Sequence, residues 1–167
     1  VTTSKVQPSS WCLGADGDLH RLRETFQGRP FFRKEYPWPL EQKIAQRILE
    51  NPHPHIVQIY RVGNTAMDME LLKPANRMDP ADVAGLEDAK RHLQRLGIAY
   101  IDWKLDNVGY GADGRLKVFD FNGSALNDEH PPVGYAWRQA IAAGRGETPM
   151  SANNFVFQSF VKRDAGV

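Results

Sequence analysis

The chain has 167 residues, enough for one domain or for two small lobes sharing a cleft. Its 21 Lys and Arg against 20 Asp and Glu give a formal net charge of +1, and no basic stripe stands out, so nothing points to a nucleic-acid partner. No apolar run approaches membrane-spanning length, and Cys12, the lone cysteine, excludes an internal disulfide.

The start, Val1-Thr2-Thr3-Ser4-Lys5, lacks the apolar core of a signal peptide. It has no initiator Met, which suits a trimmed start. With the single cysteine, these features predict a reducing, cytoplasmic (intracellular) setting and no membrane partner. Residues 1–10 read as a polar lead-in. From Trp11 to Tyr36 the pattern is short strands, with turns at Gly14-Ala15-Asp16-Gly17 and Gln27-Gly28-Arg29-Pro30. Leu40 to Glu50 carries Leu40, Ile44, Ala45, Ile48 and Leu49 at the period of an amphipathic helix, which Asn51-Pro52 ends. Ile56 to Val62 and Ala66 to Leu72 predict strands, and Lys73 to Asp82 a loop. Val83 to Leu96 predicts a helix stopped by Gly97. Gly109-Tyr110-Gly111-Ala112-Asp113-Gly114-Arg115 predicts a hairpin turn between two short strands. Leu126 to Glu147 is irregular, and Ser151 to Val161 predicts a closing helix. Strands and helices in this order give an α+β fold.

The chemistry is concentrated around this hairpin. Before it stands Ile101-Asp102-Trp103-Lys104-Leu105-Asp106-Asn107, and after it Asp120-Phe121. Asp and Asn in loops are commonly turn formers. Here an Asp, a Lys two residues on, an Asn five on and a second Asp after an apolar strand suit phosphoryl transfer. One carboxylate can orient a hydroxyl, the Lys can neutralise the moving phosphoryl, and Asn107 with Asp120 can hold a metal ion.

These residues resemble the eukaryotic-type protein kinases, with their H-R-D-L-x-x-x-N catalytic loop and D-F-G motif. Asp102, Lys104 and Asn107 keep the family spacing, while Tyr100 and Ile101 stand for the His and Arg. Asp120-Phe121-Asn122 stands for D-F-G, with Gly123 one position late. The similarity extends upstream. Cys12 to Leu19 aligns with the G-x-G-x-x-G-x-V loop, which implies nucleotide contacts at Gly14, Gly17 and Leu19. Lys34 implies a contact with the α- and β-phosphates, held by a helix Glu. Glu41 is the expected partner and Glu50 its rival. His53-Pro54-His55-Ile56-Val57 resembles the H-P-N-I-V segment, and no Cys or further His completes a metal set there. Met67 to Leu72 resembles the strand and hinge that bind adenine, with Met69 as gatekeeper and Glu70 and Leu72 at the hinge. Phe32 stands where the family usually has Ala over the base. Thr148 to Phe155 resembles the start of a large buried helix, with Asn153 or Asn154 in place of its Asp.

The resemblance covers about Trp11 to Phe121. It implies a protein-kinase-like two-lobed fold: a β-rich N-lobe and hinge over 11–72, and a truncated, mainly helical C-lobe over 73–167. So reduced a kinase is similar to those of large DNA viruses. The implied function is ATP- and Mg2+-dependent transfer of a phosphoryl group to Ser/Thr of a protein substrate, since Lys104 is typical of that kind. Two alternatives stay open: a phosphotransferase of the aminoglycoside or choline kinase type with a small hydroxyl acceptor, and a pseudokinase acting as a binding module. A protein partner covering the truncated C-lobe is also expected.

Overall fold

A computed structural model of the chain describes residues 25–26, 29–36, 39–121, 124–126 and 149–166. The polar lead-in, the glycine-rich turn with Gly14, Gly17 and Leu19, the Asn122-Gly123 pair and the irregular stretch after Leu126 lie outside the described residues. Within them the fold is mixed α+β, with small antiparallel sheets and three helices.

The largest sheet has the order β1-β2-β4-β3. β1 is Thr25–Phe26, β2 Arg29–Glu35, β3 Ile59–Val62 and β4 Ala66–Glu70. β2 and β4 pair with Phe32 opposite Met69 and Lys34 opposite Met67. Strand alternation puts Phe32 and Lys34 on one face and Phe31 and Arg33 on the other. Both faces are covered, since all four are buried. On the second face Arg33 forks onto the buried Asp68, with Nε 2.6 Å from Oδ1 and Nη2 3.0 Å from Oδ2.

Helix α1, Pro39–Glu50, packs on β3 and β4 through Ile44, Ala45 and Ile48. Proline at its first position and Glu41 in its first turn both favour an N-terminus. Its last turn is tied to the next helix, α2, Pro80–Arg95. Arg47 Nη1 donates to Leu96 O at 2.6 Å, and His92 Nε2 to Asn51 O at 2.8 Å. His53 Nε2 lies 2.7 Å from Asp88 Oδ2. His55 lies flat against the α2 backbone at Gly85, where a Cβ would come within 2.4 Å of the ring.

Three segments differ from the sequence reading. The strand expected from Ile56 starts at Ile59, with a register shift before Arg61. Ile56 and Val57 are drawn away: Val57 N–H donates to Val118 O, and Ile56 bridges Val118 in parallel. The loop expected over Lys73 to Asp82 contains β5, Lys73–Pro74, which pairs with the hairpin. α2 begins at Pro80 rather than Val83, because Asp82 reaches back to the Asp79 N–H at 3.2 Å and Pro80 fits the first turn.

The hairpin is β7, Val108–Tyr110, and β8, Leu116–Val118, with Val108 opposite Val118. Gly114 takes φ 79° in its turn, a conformation natural to glycine. β6, Ile98–Ala99, pairs with β9, Ala125–Leu126. Helix α3, Pro149–Ala165, extends the predicted closing helix at both ends and packs on α2 and β6. One apolar core runs from Phe32 and Met69 to Phe157 and Phe160. Among the described residues no helix is long and apolar enough to cross a membrane.

Candidate active site

The site gathers where β2, α1 and the two ends of the β7–β8 hairpin meet. Lys34 is fully buried on β2. Its Nζ forms an ion pair with Glu41 Oε2 and lies 3.0 Å from Asp120 Oδ1. Glu41, not Glu50, is therefore the Lys34 partner. Helix packing explains the choice, since Glu41 is buried beside Ile44 and Ala45 while Glu50 is exposed at the helix end. Burial pushes the Glu41 carboxyl pKa up, and the Lys34 ammonium pulls it back down. Its Oε1 has no hydrogen-bond partner among the described residues. Lys34 thus offsets only part of the desolvation of this group.

Asp120 follows β8 with φ 64°, a left-handed conformation that a non-glycine residue rarely takes. Strain of this kind concentrates at functional sites. The turn aims the Asp120 carboxylate at Lys34, eighty-six residues away in sequence.

On the other side of the hairpin, Asn107 closes a single 3-10 turn, Leu105–Asn107. Its Nδ2 donates to both Asp102 O and Asp102 Oδ2, each at 2.9 Å. Asp102 is thereby fixed in direction while its side chain stays 36% exposed. Lys104 is more exposed, with Nζ 3.8 Å from Asp102 Oδ2. The Asn107 and Asp120 segments are joined directly, since Phe119 N–H donates to Asn107 O at 3.0 Å. Asn107 spends its Nδ2 on Asp102, which leaves Oδ1 as the atom it can offer a cation. Asp120 brings its carboxylate to the same place, with Oδ1 3.0 Å from Lys34 Nζ. Two hard oxygen donors suit Mg2+, which keeps several waters and takes the rest of its shell from phosphate.

The residues expected around the base are all buried. Phe32 and Met69 sit opposite each other on β2 and β4, and Leu72 joins the same core. The Glu70 side chain has another task. Its Oε1 accepts from Lys117 Nζ at 2.8 Å and from Gln58 N–H at 2.8 Å, so it ties the end of β4 to β8. Gly14, Gly17 and Leu19 lie outside the described residues.

The motif reading assigns no role to two supporting side chains. Tyr100 is fully buried and donates its hydroxyl to Phe119 O at 2.6 Å, which links the approach to Asp102 with the approach to Asp120. Burial, with Asp102 and Asp120 nearby, holds the Tyr100 pKa well above its usual value. Trp103 donates its indole N–H to Asn153 Oδ1 on α3 at 2.7 Å. The available signal was an aromatic residue with a polar tip in an apolar run, since such a tip needs a partner when buried.

A comparison with protein-family models gives no match, and a comparison with curated proteins gives none.

Proposed function

We propose that the chain is an ATP- and Mg2+-dependent protein kinase of the Ser/Thr kind, with a two-lobed, kinase-like arrangement and a reduced C-lobe. The observation that carries this reading is the triplet of buried Lys34, buried Glu41 and half-buried Asp120, set beside an Asp102 that Asn107 holds in direction.

In this reading Mg2+-ATP, when bound, would supply the phosphoryl group and the countercharge for its transfer. Lys34 binds the nucleotide phosphates, held in place by Glu41. Asn107 and Asp120 would hold the metal ion. Asp102 orients the acceptor hydroxyl and receives its proton, and Lys104 stabilises charge on the group in flight. Lys34 Nζ lies 3.0 Å from Asp120 Oδ1, so the groups that would meet phosphate and metal adjoin each other.

The exposure of Lys104, 49% for its side chain, favours a protein acceptor, since that loop faces solvent rather than a closed pocket. The test has two stages. ATP with Mg2+, but not either alone, should raise the melting temperature. Labelled γ-phosphate should then pass to a Ser/Thr-rich protein. Transfer only to small hydroxyl compounds would assign the chain to the small-molecule phosphotransferases. A thermal shift without any transfer would assign it to the pseudokinases.

A further inference from the structure

We infer that Asn153 is a positioning residue for the loop that carries Asp102, acting through Trp103, an inference that rests on the phosphotransferase reading of that loop. Trp103 lies between Asp102 and Lys104 in chain order. Its own side chain is 2% exposed, while those of its two neighbours are 36% and 49% exposed. Lys104 has extended backbone, φ −158° and ψ 162°. In extended chain, successive side chains point to opposite sides. Fixing Trp103 inward therefore fixes Asp102 and Lys104 outward.

Two kinds of contact fix Trp103. Its ring meets Tyr100 edge-on at 4.7 Å and Phe157 at 4.8 Å, and stacks on Phe160 at 6.2 Å. These contacts fill space but do not select one rotation of the indole. The hydrogen bond to Asn153 Oδ1 does, because it demands one edge of the ring in one direction.

The second observation concerns Asn153 itself. It is fully buried, and its Nδ2 has no hydrogen-bond partner among the described residues. A buried amide donor left unsatisfied is destabilising. An apolar residue on this face of α3, beside Ala152 and Phe157, would pack without that cost. Stability alone does not explain an asparagine here, whereas the need to orient Trp103 does.

Three variants test this. Asn153→Leu and Trp103→Phe should each lower kcat at least tenfold, with KM for ATP within twofold, since a reacting group misplaced by about 1 Å can cost ~10²-fold. Asn153→Asp keeps an acceptor for the indole N–H and should retain most of the turnover. Hydrogen exchange gives a readout that does not need turnover. Amides of residues 101–107 should exchange faster in Asn153→Leu, while those of β7 and β8 stay protected. Wild-type kcat in both Asn153→Leu and Trp103→Phe would overturn the inference, as would faster exchange spread evenly over the chain. If the wild type transfers no phosphate, the functional reading fails instead. The exchange pattern then decides the positioning role by itself, a local loss supporting it and unchanged protection refuting it.

Discussion

Lys117 on β8 and Glu70 at the end of β4 form an ion pair of 2.8 Å in which both side chains are nearly sealed from solvent. The pair joins the end of β4 to β8, and so it helps to set the hairpin relative to the large sheet. Gly111 lets it form: a Cβ there would stand 2.9 Å from Lys117 Nζ and 3.0 Å from Glu70 Oε2. Lys117→Met should destabilise the fold by about 3 kcal/mol, because it leaves a buried carboxylate with only the Gln58 N–H. A denaturation midpoint equal to that of the wild type would show that solvent reaches Glu70.

The same reasoning applies more sharply to Lys34. Lys34→Met removes the counter-ion of a carboxylate that already has one oxygen unsatisfied among the described residues, at a cost of about 3–5 kcal/mol. Glu41 escapes by taking up a proton, so its pKa rises further above the unfolded value. A carboxyl with a raised folded pKa loses stability as pH rises. The deficit of the variant should therefore be larger at pH ~8 than at pH ~5.5, and adding Glu41→Leu should recover most of it. A deficit independent of pH would mean that Glu41 is not the group left uncompensated.

Asp102 and Asp120 should separate in kinetics. Asp102→Ala should reduce turnover by ~10²–10⁴ with nucleotide binding unchanged, because it removes only the group facing the acceptor. Asp120→Ala should weaken Mg2+-ATP binding itself. Full turnover by Asp102→Ala would exclude it from the chemistry.

His53 gives a pH dependence of the opposite sign. Its Nδ1 accepts the His55 N–H at 3.0 Å, so the neutral ring, with its proton on Nε2 facing Asp88, is the form the fold binds. Burial lowers its pKa from 6.5, with Asp88 opposing and His92 assisting. The unfolded chain thus binds the proton more readily, and stability falls as pH drops below about 6.5. Between pH ~7.5 and ~5.5 the wild type should lose more stability than His53→Gln. Equal losses would assign the acid sensitivity to other groups.

Regulation should not depend on a phosphate read next to Asp102. Ile101, directly before it, is buried against Ala152 and offers no side-chain donor. Ser124 is buried as well. Replacing Ser124, Thr148 and Ser151 together by Ala, or treating the protein with phosphatase, should leave phosphate transfer intact. A large loss under both treatments would point to Arg138 or Arg145 as a phosphate reader.

Local signals in the sequence were reliable where local chemistry decided the outcome. The period of Ile44, Ala45 and Ile48 placed α1, and with it the Glu that reaches Lys34. The Gly-rich turn placed the hairpin that joins Asn107 to Asp120. Pairing between distant segments was not legible. Ile56 and Val57 read as part of the strand after them, because β-branched residues announce extended chain but not its neighbour, and they side with Val118 instead. The Asp79 cap moved the start of α2 by three residues past what apolar period could show. Trp103 and Asn153 lie fifty residues apart, and nothing in either segment names the other.

The anchoring of α1 at its far end makes the helix a lever. Its fulcrum is the last turn, where Arg47 holds Leu96 O and Asn51 O is held by His92. Glu41 sits near the other end, where Gln42 Nε2 donates to Gly63 O at 2.9 Å, about 9 Å away along the axis for six residues of helix. A tilt of about 10° at the fulcrum moves Glu41 by ~1.6 Å, enough to carry a carboxylate out of hydrogen-bond reach of Lys34. The pairing of Glu41 with Lys34 thus depends on contacts at the opposite corner of the helix, which hold α1 against a tilt of that size.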